Sequence, residues 1–281
     1  MSPPAKAAAS PTSTNPFREI LNRGVFHAFE HLVQTGEVPY QSPPSAAGGG
    51  GGEPSPPSSI YSPAMAAESV AAAVDALGLP TPLHLVLHDT ALAAGAAFVS
   101  SNPGAVSSIT LIDTTAVLPA FPAAIFGVPV LGTMVIRVPA LFRGLLRLCC
   151  VRGIGAEAAE AHRAAVRMEE KGKREAVFES WKGLNQSFDL KEWRGSSEAV
   201  RRLPMMVIWS GSWSDRWINE GKKVVAALPD AKFVYHSGGR WPQEDAYDEI
   251  SKLIAEFVTS VPTSVQSQHI NQFSEQAAAQ E

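Results

Sequence analysis

The segment Pro82 to Gly95, PLHLVLHDTALAAG, constrains the fold of this chain more than any other. A short apolar run is followed at once by an alanine-rich run, with Asp89 at the junction. This pattern predicts a buried strand that turns sharply into a helix, the geometry that presents a nucleophile above a parallel sheet. Ala91 and Gly95 supply small residues for close packing, although Leu87 stands where glycine is expected. Two roles for Asp89 stay open, a carboxylate nucleophile and an N-cap of the following helix.

Strands and helices alternate along the rest of the chain. Apolar strands separated by helices predict an α/β protein with a mostly parallel sheet covered on both faces. Between the second and third strands, residues 119–194 form a long insert that we expect to be a helical cap over the ends of the strands. The predicted strands are Leu83 to Leu87, Ser108 to Ile112, Met205 to Trp209 and Lys232 to His236. The predicted helices outside the insert are Ala64 to Leu77, Ala91 to Ser101, Asn219 to Leu228 and Glu244 to Val261.

Composition divides the chain into a folded domain and polar flanks. Residues 1–16 and the Gly/Pro/Ser-rich linker 41–59 have too few apolar side chains to offset the entropy of ordering, so we expect both to be disordered. Between them, apolar residues recur at helical spacing and predict an amphipathic helix within 17–40. Residues 60–262 form the predicted domain, and 263–281 form a polar tail.

Charge and cysteine content exclude several kinds of function. A net charge of −4 without a basic stripe argues against nucleic-acid binding. Cys149 and Cys150 are adjacent and offer neither a long-range disulfide nor a metal-ligand spacing, and the histidines are scattered, so we expect reduced or buried thiols, no metal and no cofactor. The uncharged run Thr114 to Ile136 is long enough to span a membrane, but its prolines and glycines favour short buried helices instead.

The later loops provide the positions where a hydrolase of this chain order places its acid and its histidine. Asp215 follows the third strand and is the candidate acid, although it could equally cap the helix behind it. In the loop after the last strand, the position of the base is occupied by Arg240, and arginine cannot act as a general base near neutral pH. His236 and His88 are the candidate substitutes, and neither fits well.

Three further interpretations concern residues near these loops. For His88 and His84 we favour buried histidines bonded to the backbone. Arg240 could pair with Asp89 as a fixed ion pair that braces the loop. The tryptophans near the late loops are interpreted mainly as packing residues, with a ligand pocket or partner surface as the alternative. This set comprises Trp209, Trp213, Trp217 and Trp241.

Three motifs together resemble a plant protein family. They are GVFHAFEHLVQTGEVPY at Gly24 to Tyr40, LHLVLHDTAL at Leu83 to Leu92, and HSGGRWPQE at His236 to Glu244. Together they are similar to the Auxin Response Four family, divergent members of the α/β-hydrolase superfamily, over about residues 22–262. The resemblance implies a partial α/β-hydrolase fold in which the RWPQE turn lacks histidine.

The resemblance also implies a function. Family members are accessory proteins of the endoplasmic reticulum membrane that the auxin influx carrier needs to reach the plasma membrane, and they are not enzymes of known substrate. They carry a membrane span and the first sheet strands before the motif at Gly24, where this chain has a Pro/Ala-rich leader, so we expect a shortened or altered version. The alternatives are an active hydrolase of the dehalogenase or epoxide-hydrolase type that uses Asp89, Asp215 and a histidine, and a small-molecule receptor without turnover.

Overall fold

A parallel sheet of four strands lies at the centre of the structure. This computed structural model describes residues 62–114, 120–121, 125–126, 128, 130–150, 152–167, 180, 183, 188–211 and 214–261. The strands are β1 (Leu83–His88), β2 (Val106–Ile112), β3 (Met205–Ser210) and β4 (Lys232–His236). Their spatial order is β1-β2-β3-β4, and each neighbouring pair is parallel. The two central strands are buried along their whole length, which explains their continuously apolar or small residues.

Helices connect these strands and cover the sheet. They are α1 (Pro63–Ala76), α2 (Ala91–Ser101), α3 (Leu131–Arg137), α4 (Pro139–Arg147), α5 (Ala156–Arg167), α6 (Leu190–Gly195), α7 (Glu198–Arg202), α8 (Asp215–Ala227), α9 (Pro242–Asp245) and α10 (Tyr247–Ser260). The main core joins β1, β2 and β3 to α2 and α8, and a second core joins the opposite face to α10. The predicted parallel sheet with helices on both faces is therefore confirmed.

The predicted elements agree with the structure except at their ends. Helix α8 begins at Asp215, four residues before the predicted start, because the Ser214 hydroxyl accepts a hydrogen bond from the Trp217 N–H at 3.2 Å and caps the helix. The predicted helix Glu244 to Val261 is wrong as one element. It is divided at Ala246, whose backbone leaves the helical region with φ −144° and ψ 31°.

The end of α1 follows the predicted pattern. Gly78 has φ +59°, the left-handed conformation of a residue that terminates a helix. The Leu79 N–H donates to the Val74 carbonyl at 3.1 Å across this turn. The chain is thereby directed into β1.

Several predictions concern residues outside those described. These are the disordered segments 1–16 and 41–59, the helix within 17–40 and the tail 263–281. Within the uncharged run Thr114 to Ile136, the described part includes most of α3, a helix of seven residues. None of the described helices has the length and apolarity that crossing a bilayer requires.

Candidate functional site

Polar side chains gather where the four parallel strands end. Asp89 follows β1, Asp113 follows β2, Ser210 ends β3 and His236 ends β4. The carboxyl ends of parallel strands meet at one edge of the sheet, which is where ligands bind in open α/β folds. Together with Arg240 from the loop after β4, we call these residues the carboxyl-edge cluster.

Asp89 occupies a tight turn between β1 and α2. Its φ of 54° lies in the left-handed region that non-glycine residues rarely adopt, as expected where a strand turns sharply into a helix. Its carboxylate accepts hydrogen bonds from the N–H groups of Ala120, at 2.6 Å, and Phe121, at 3.1 Å. Both oxygens are thus engaged by the segment between β2 and α3, and the residue at the N-cap of α2 is Thr90.

Burial raises the pKa of the Asp89 carboxyl above its ordinary value of 3.8. The charge of His88, the two N–H donors and, as the smallest effect, the charge of Arg240 oppose this shift without cancelling it. The structure therefore brings Arg240 close enough to act on Asp89 electrostatically. Their pairing as a fixed ion pair stays a prediction.

His236 and Asp113 form a fully buried pair. The imidazole Nε2 lies 2.6 Å from Asp113 Oδ2. The Gly238 N–H donates to His236 Nδ1 at 3.1 Å, so Nδ1 is an acceptor and Nε2 carries the proton that is donated to Asp113. In a catalytic triad Nδ1 faces the acid and Nε2 faces the nucleophile, and His236 has the reverse orientation. Neither ring nitrogen is left to accept a proton from a substrate.

Asp113 accepts two further hydrogen bonds. Its Oδ1 receives the Ser210 N–H at 2.9 Å and the Trp217 indole N–H at 2.8 Å. Its own φ is 43°, again a left-handed conformation directly after a strand. Asp113 is therefore the buried carboxylate that connects β2, β3, β4 and α8.

Sequence reasoning missed Asp113 and proposed Asp215. The structure places Asp215 on the surface, as the first residue of α8, and does not connect it to His236 in any described contact. The signal that could have found Asp113 is the same one that found Asp89, a carboxylate directly after a buried strand. The sequence prediction placed the acid only after the third strand and did not consider the end of the second.

The other two histidines of the sheet also have partners. His88 Nε2 lies 2.8 Å from the Arg240 carbonyl, which can only accept, so this nitrogen carries a proton. The predicted backbone partner of His88 is thus confirmed, while the predicted burial is wrong, since His88 and His84 are both only half-buried. For His84 the predicted backbone partner is wrong, since its Nδ1 lies 2.7 Å from the Ser108 hydroxyl.

Arg240 is buried. Its guanidinium lies 5.2 Å from the centre of the Trp217 ring, and its Nη2 donates to the Leu148 carbonyl at 3.4 Å. These contacts join the last loop to α8 and to the end of α4. The residue at the expected base position is therefore a permanent cation held in the interior.

Tryptophans pack around the cluster. Trp209 stacks on Trp217 with ring centres 5.0 Å apart, and both are buried. Trp241 stacks on Phe121 at 4.9 Å and lies 5.4 Å from the ring of His162 on α5. These three support packing more than a ligand pocket, while Trp213 lies outside the described residues.

The thiols and possible metal ligands add no chemistry to the site. Cys149 and Cys150 are free and buried, as the sequence predicts, and burial raises the pKa of each to about 12. Both are therefore protonated, and poor nucleophiles, near neutral pH. Among the described residues, no group of three or more His, Cys, Asp or Glu side chains is arranged to hold a metal ion.

Comparison with solved structures identifies the fold. The chain is similar to a protein described as an acyltransferase from Salmonella enterica, with 20% identity, coverage of 73% of this chain and 72% of that one, and a TM-score of 0.53. A bacterial membrane phospholipase A is 22% identical, with coverage of 75% of this chain and 67% of that one and a TM-score of 0.53. A thermophilic esterase from Thermogutta terrifontis is 19% identical, with coverage of 71% of this chain and 73% of that one and a TM-score of 0.51.

The chain has a partial α/β-hydrolase fold. At these identities the likeness concerns the fold alone. No protein-family model matches the sequence. In this structure β1 ends in the left-handed turn at Asp89, and β2 to β4 follow in order across the sheet.

Proposed function

We propose that this chain is a non-catalytic α/β-hydrolase-fold protein that acts by binding another protein. The observation that carries the proposal is the state of His236, whose Nδ1 receives the Gly238 N–H and whose Nε2 donates to Asp113. A hydrolase needs an imidazole nitrogen that can accept a proton close to the nucleophile.

Two further contacts support the same conclusion. The Asp89 carboxylate, which would have to attack a substrate, already accepts two backbone hydrogen bonds. Each oxygen keeps a further lone pair, but hydrogen bonds to both oxygens stabilise the carboxylate and so lower its nucleophilicity. Arg240 supplies no base in place of histidine.

For the partner, we propose the auxin influx carrier. This part of the proposal depends on the three motifs that resemble the Auxin Response Four family, and it implies a role in carrier export from the endoplasmic reticulum to the plasma membrane. The turn HSGGRWPQE at His236 to Glu244 is both one of these motifs and the loop that lacks the catalytic histidine.

Complementation in plant cells that lack this accessory function tests the proposal. The fraction of a fluorescently tagged carrier at the plasma membrane is measured with the wild-type chain and with Asp89→Asn. We expect both to restore it equally, because partner binding does not need a nucleophile. Restoration by the wild type and not by Asp89→Asn, at equal protein levels, would contradict a non-catalytic role.

The rival function is hydrolysis with Asp89 as the nucleophile. Its support is the left-handed turn of Asp89 between a strand and a helix. It predicts a covalent ester on Asp89 with a slowly released substrate. A non-catalytic protein gives no such adduct.

A further inference from the structure

Apolar side chains are exposed to solvent where α3 meets α4. We call residues 130–141 the α3–α4 junction. Its exposed apolar residues are Val130, Met134, Val138, Pro139, Ala140 and Leu141. The four large ones among them are between 40% and 64% exposed. A contiguous group of exposed apolar side chains of this kind marks a site of interaction.

The middle of the junction projects from the surface of the protein. Five consecutive residues, 137–141, are all exposed. Along a straight helix that packs on a core, exposed and buried residues alternate with the helical period, so one helix face does not produce such a run. The run arises because the backbone leaves the helical conformation at Val138, with φ −96° and ψ 108°, and α4 begins at Pro139. The apolar side chains at this bend therefore form a convex surface.

The charges along this part of the chain are all positive. The charged residues between positions 130 and 147 are Arg137, Arg143 and Arg147. Arg137 directly precedes Val138 and lies three residues after Met134, so it shares one side of α3 with that exposed methionine. Arg143 and Arg147 follow Ala140 at intervals of three and four residues, which places them on the same side of α4 as that exposed alanine. The arginines therefore border the apolar surface.

Two of these guanidinium groups are exposed and keep their donors. No described residue forms a hydrogen bond or an ion pair with Arg137 or Arg147. The acidic side chain that helix α5 brings to the junction, Glu160, already accepts a hydrogen bond from Arg163 at 2.7 Å. Arg163 also donates to the Ile136 carbonyl at 3.2 Å, so this ion pair lies beside the end of α3. The local charge at the junction is therefore positive.

An anionic membrane surface fits this combination better than a protein partner does. A stable protein interface uses about 20 to 30 residues on each side, many more than the junction provides. A membrane surface needs fewer, because a few apolar side chains and basic residues near anionic headgroups give reversible binding. The net charge of −4 repels an anionic surface from the chain as a whole, so attraction must come from a local basic region.

We propose that the α3–α4 junction binds the surface of a bilayer that contains anionic phospholipids. Met134, Val138 and Leu141 enter the boundary between the headgroups and the acyl chains. Arg137 and Arg147 lie at the level of the lipid phosphates, where long basic side chains keep their charged ends. This is peripheral binding by two short helices and involves no spanning segment. It depends neither on the auxin carrier nor on the absence of catalysis.

Vesicle sedimentation with the purified full chain tests the proposal. Binding is titrated on vesicles of phosphatidylcholine alone and on vesicles with about one third phosphatidylserine. We expect at least ~10-fold tighter binding to the anionic vesicles. Arg137→Glu should weaken this binding by at least ~10-fold, and Arg137→Lys should retain it because the positive charge is kept. Val138→Ser combined with Leu141→Ser should weaken it by at least ~5-fold, because less apolar surface leaves water.

Matched variants elsewhere in the chain serve as controls. Lys222→Glu, at an exposed position of α8, changes the net charge by the same amount as Arg137→Glu. Val70→Ser combined with Leu79→Ser removes two apolar side chains that are 38% and 44% exposed. Both controls should bind like the wild type. Equal losses in the control and junction variants, equal binding to the two kinds of vesicle, or no binding to either kind would overturn the proposal.

A second copy of the chain is the competing occupant of the junction. Sedimentation velocity without lipid, on the wild type and on the Val138→Ser and Leu141→Ser double variant, separates the two cases. A wild-type dimer that the double variant dissociates would overturn the membrane proposal, and an oligomeric state that the substitutions leave unchanged supports it. Because neither measurement contains a carrier or a substrate, failure of the proposed function leaves this result intact.

Discussion

The pair of His236 and Asp113 engages both ring nitrogens of one buried histidine. A neutral imidazole has one donor and one acceptor, and in this protein the donor meets Asp113 and the acceptor meets Gly238. Releasing the ring would leave the Asp113 carboxylate and the Gly238 N–H without these partners in the interior. The pair therefore connects β2 to β4 through buried hydrogen bonds that engage both ring nitrogens.

Replacing Asp113 with asparagine tests the structural role of this carboxylate. Oδ1 accepts two donors and Oδ2 accepts a third, so the amide NH₂ must face at least one N–H group. An unsatisfied buried group of this kind costs about 3 kcal/mol of unfolding free energy. Urea unfolding monitored by tryptophan fluorescence measures the loss.

Asp215→Asn is the matched control for that experiment. Asp215 is exposed in the first turn of α8, where a negative charge stabilises the helix dipole by less than ~1 kcal/mol. We expect a loss within that limit. Equal losses from the two substitutions would contradict the assignment of the buried role to Asp113.

The raised pKa of Asp89 predicts a pH dependence of stability. A carboxyl whose folded pKa lies above its unfolded value of 3.8 binds protons more tightly in the folded state. Its contribution to stability is therefore greatest at low pH and falls as pH rises from about 3.8 through the folded pKa. Asp89→Asn removes this contribution.

Unfolding free energies of wild type and Asp89→Asn from pH 4 to 7 test this expectation. The wild type should lose stability relative to the variant as pH rises. A difference that grows in favour of the wild type over the same range would mean that the folded pKa is lowered, and that hydrogen bonds from Ala120 and Phe121 outweigh burial.

At the scale of elements, the contact between β1 and α2 explains how Leu87 fits where glycine was expected. A Cβ on Gly95 would lie 2.3 Å from Leu87 Cδ1. The Leu87 side chain therefore occupies the space that a side chain at position 95 would need. The small residue required for close approach of strand and helix is present on the helix and not on the strand.

Gly95→Ala should lower the unfolding free energy by up to about 2 kcal/mol. Overpacking against buried Leu87 costs about 1 to 3 kcal/mol and exceeds the gain in helix propensity of about 1 kcal/mol. The control is Gly144→Ala in α4, where nothing lies within 4 Å of the added Cβ and stability should rise. Thermal unfolding of both variants measures this difference. If both substitutions raise the stability, the overpacking argument for Gly95 is contradicted.

The sequence predicted elements better than it predicted contacts between them. All four strands, including β4 at its observed bounds, follow from local apolar runs. Asp113 was missed because its importance comes from Ser210, Trp217 and His236, which lie 97 to 123 residues away in the chain. The division of the last helix at Ala246 likewise has no strong local signal, since alanine favours helices.

At the scale of the whole molecule, the described sheet ends in β1 on one side and β4 on the other. Among the described residues, β1 pairs with β2 alone and β4 with β3 alone. At the carboxyl edge, Asp89 and Asp113 accept hydrogen bonds from the protein's own groups. These contacts are the basis of the proposed non-catalytic role.

The central claim is that Asp89 does not act as a nucleophile. Turnover by the purified chain, compared with that of Asp89→Asn, tests this claim most directly. Both proteins are incubated with a panel of nitrophenyl esters, epoxides and alkyl halides, while released product and intact protein mass are recorded. We predict equal product release from the two proteins and no mass increase. Multiple turnovers by the wild type that Asp89→Asn abolishes, with an adduct located on Asp89, would contradict the account.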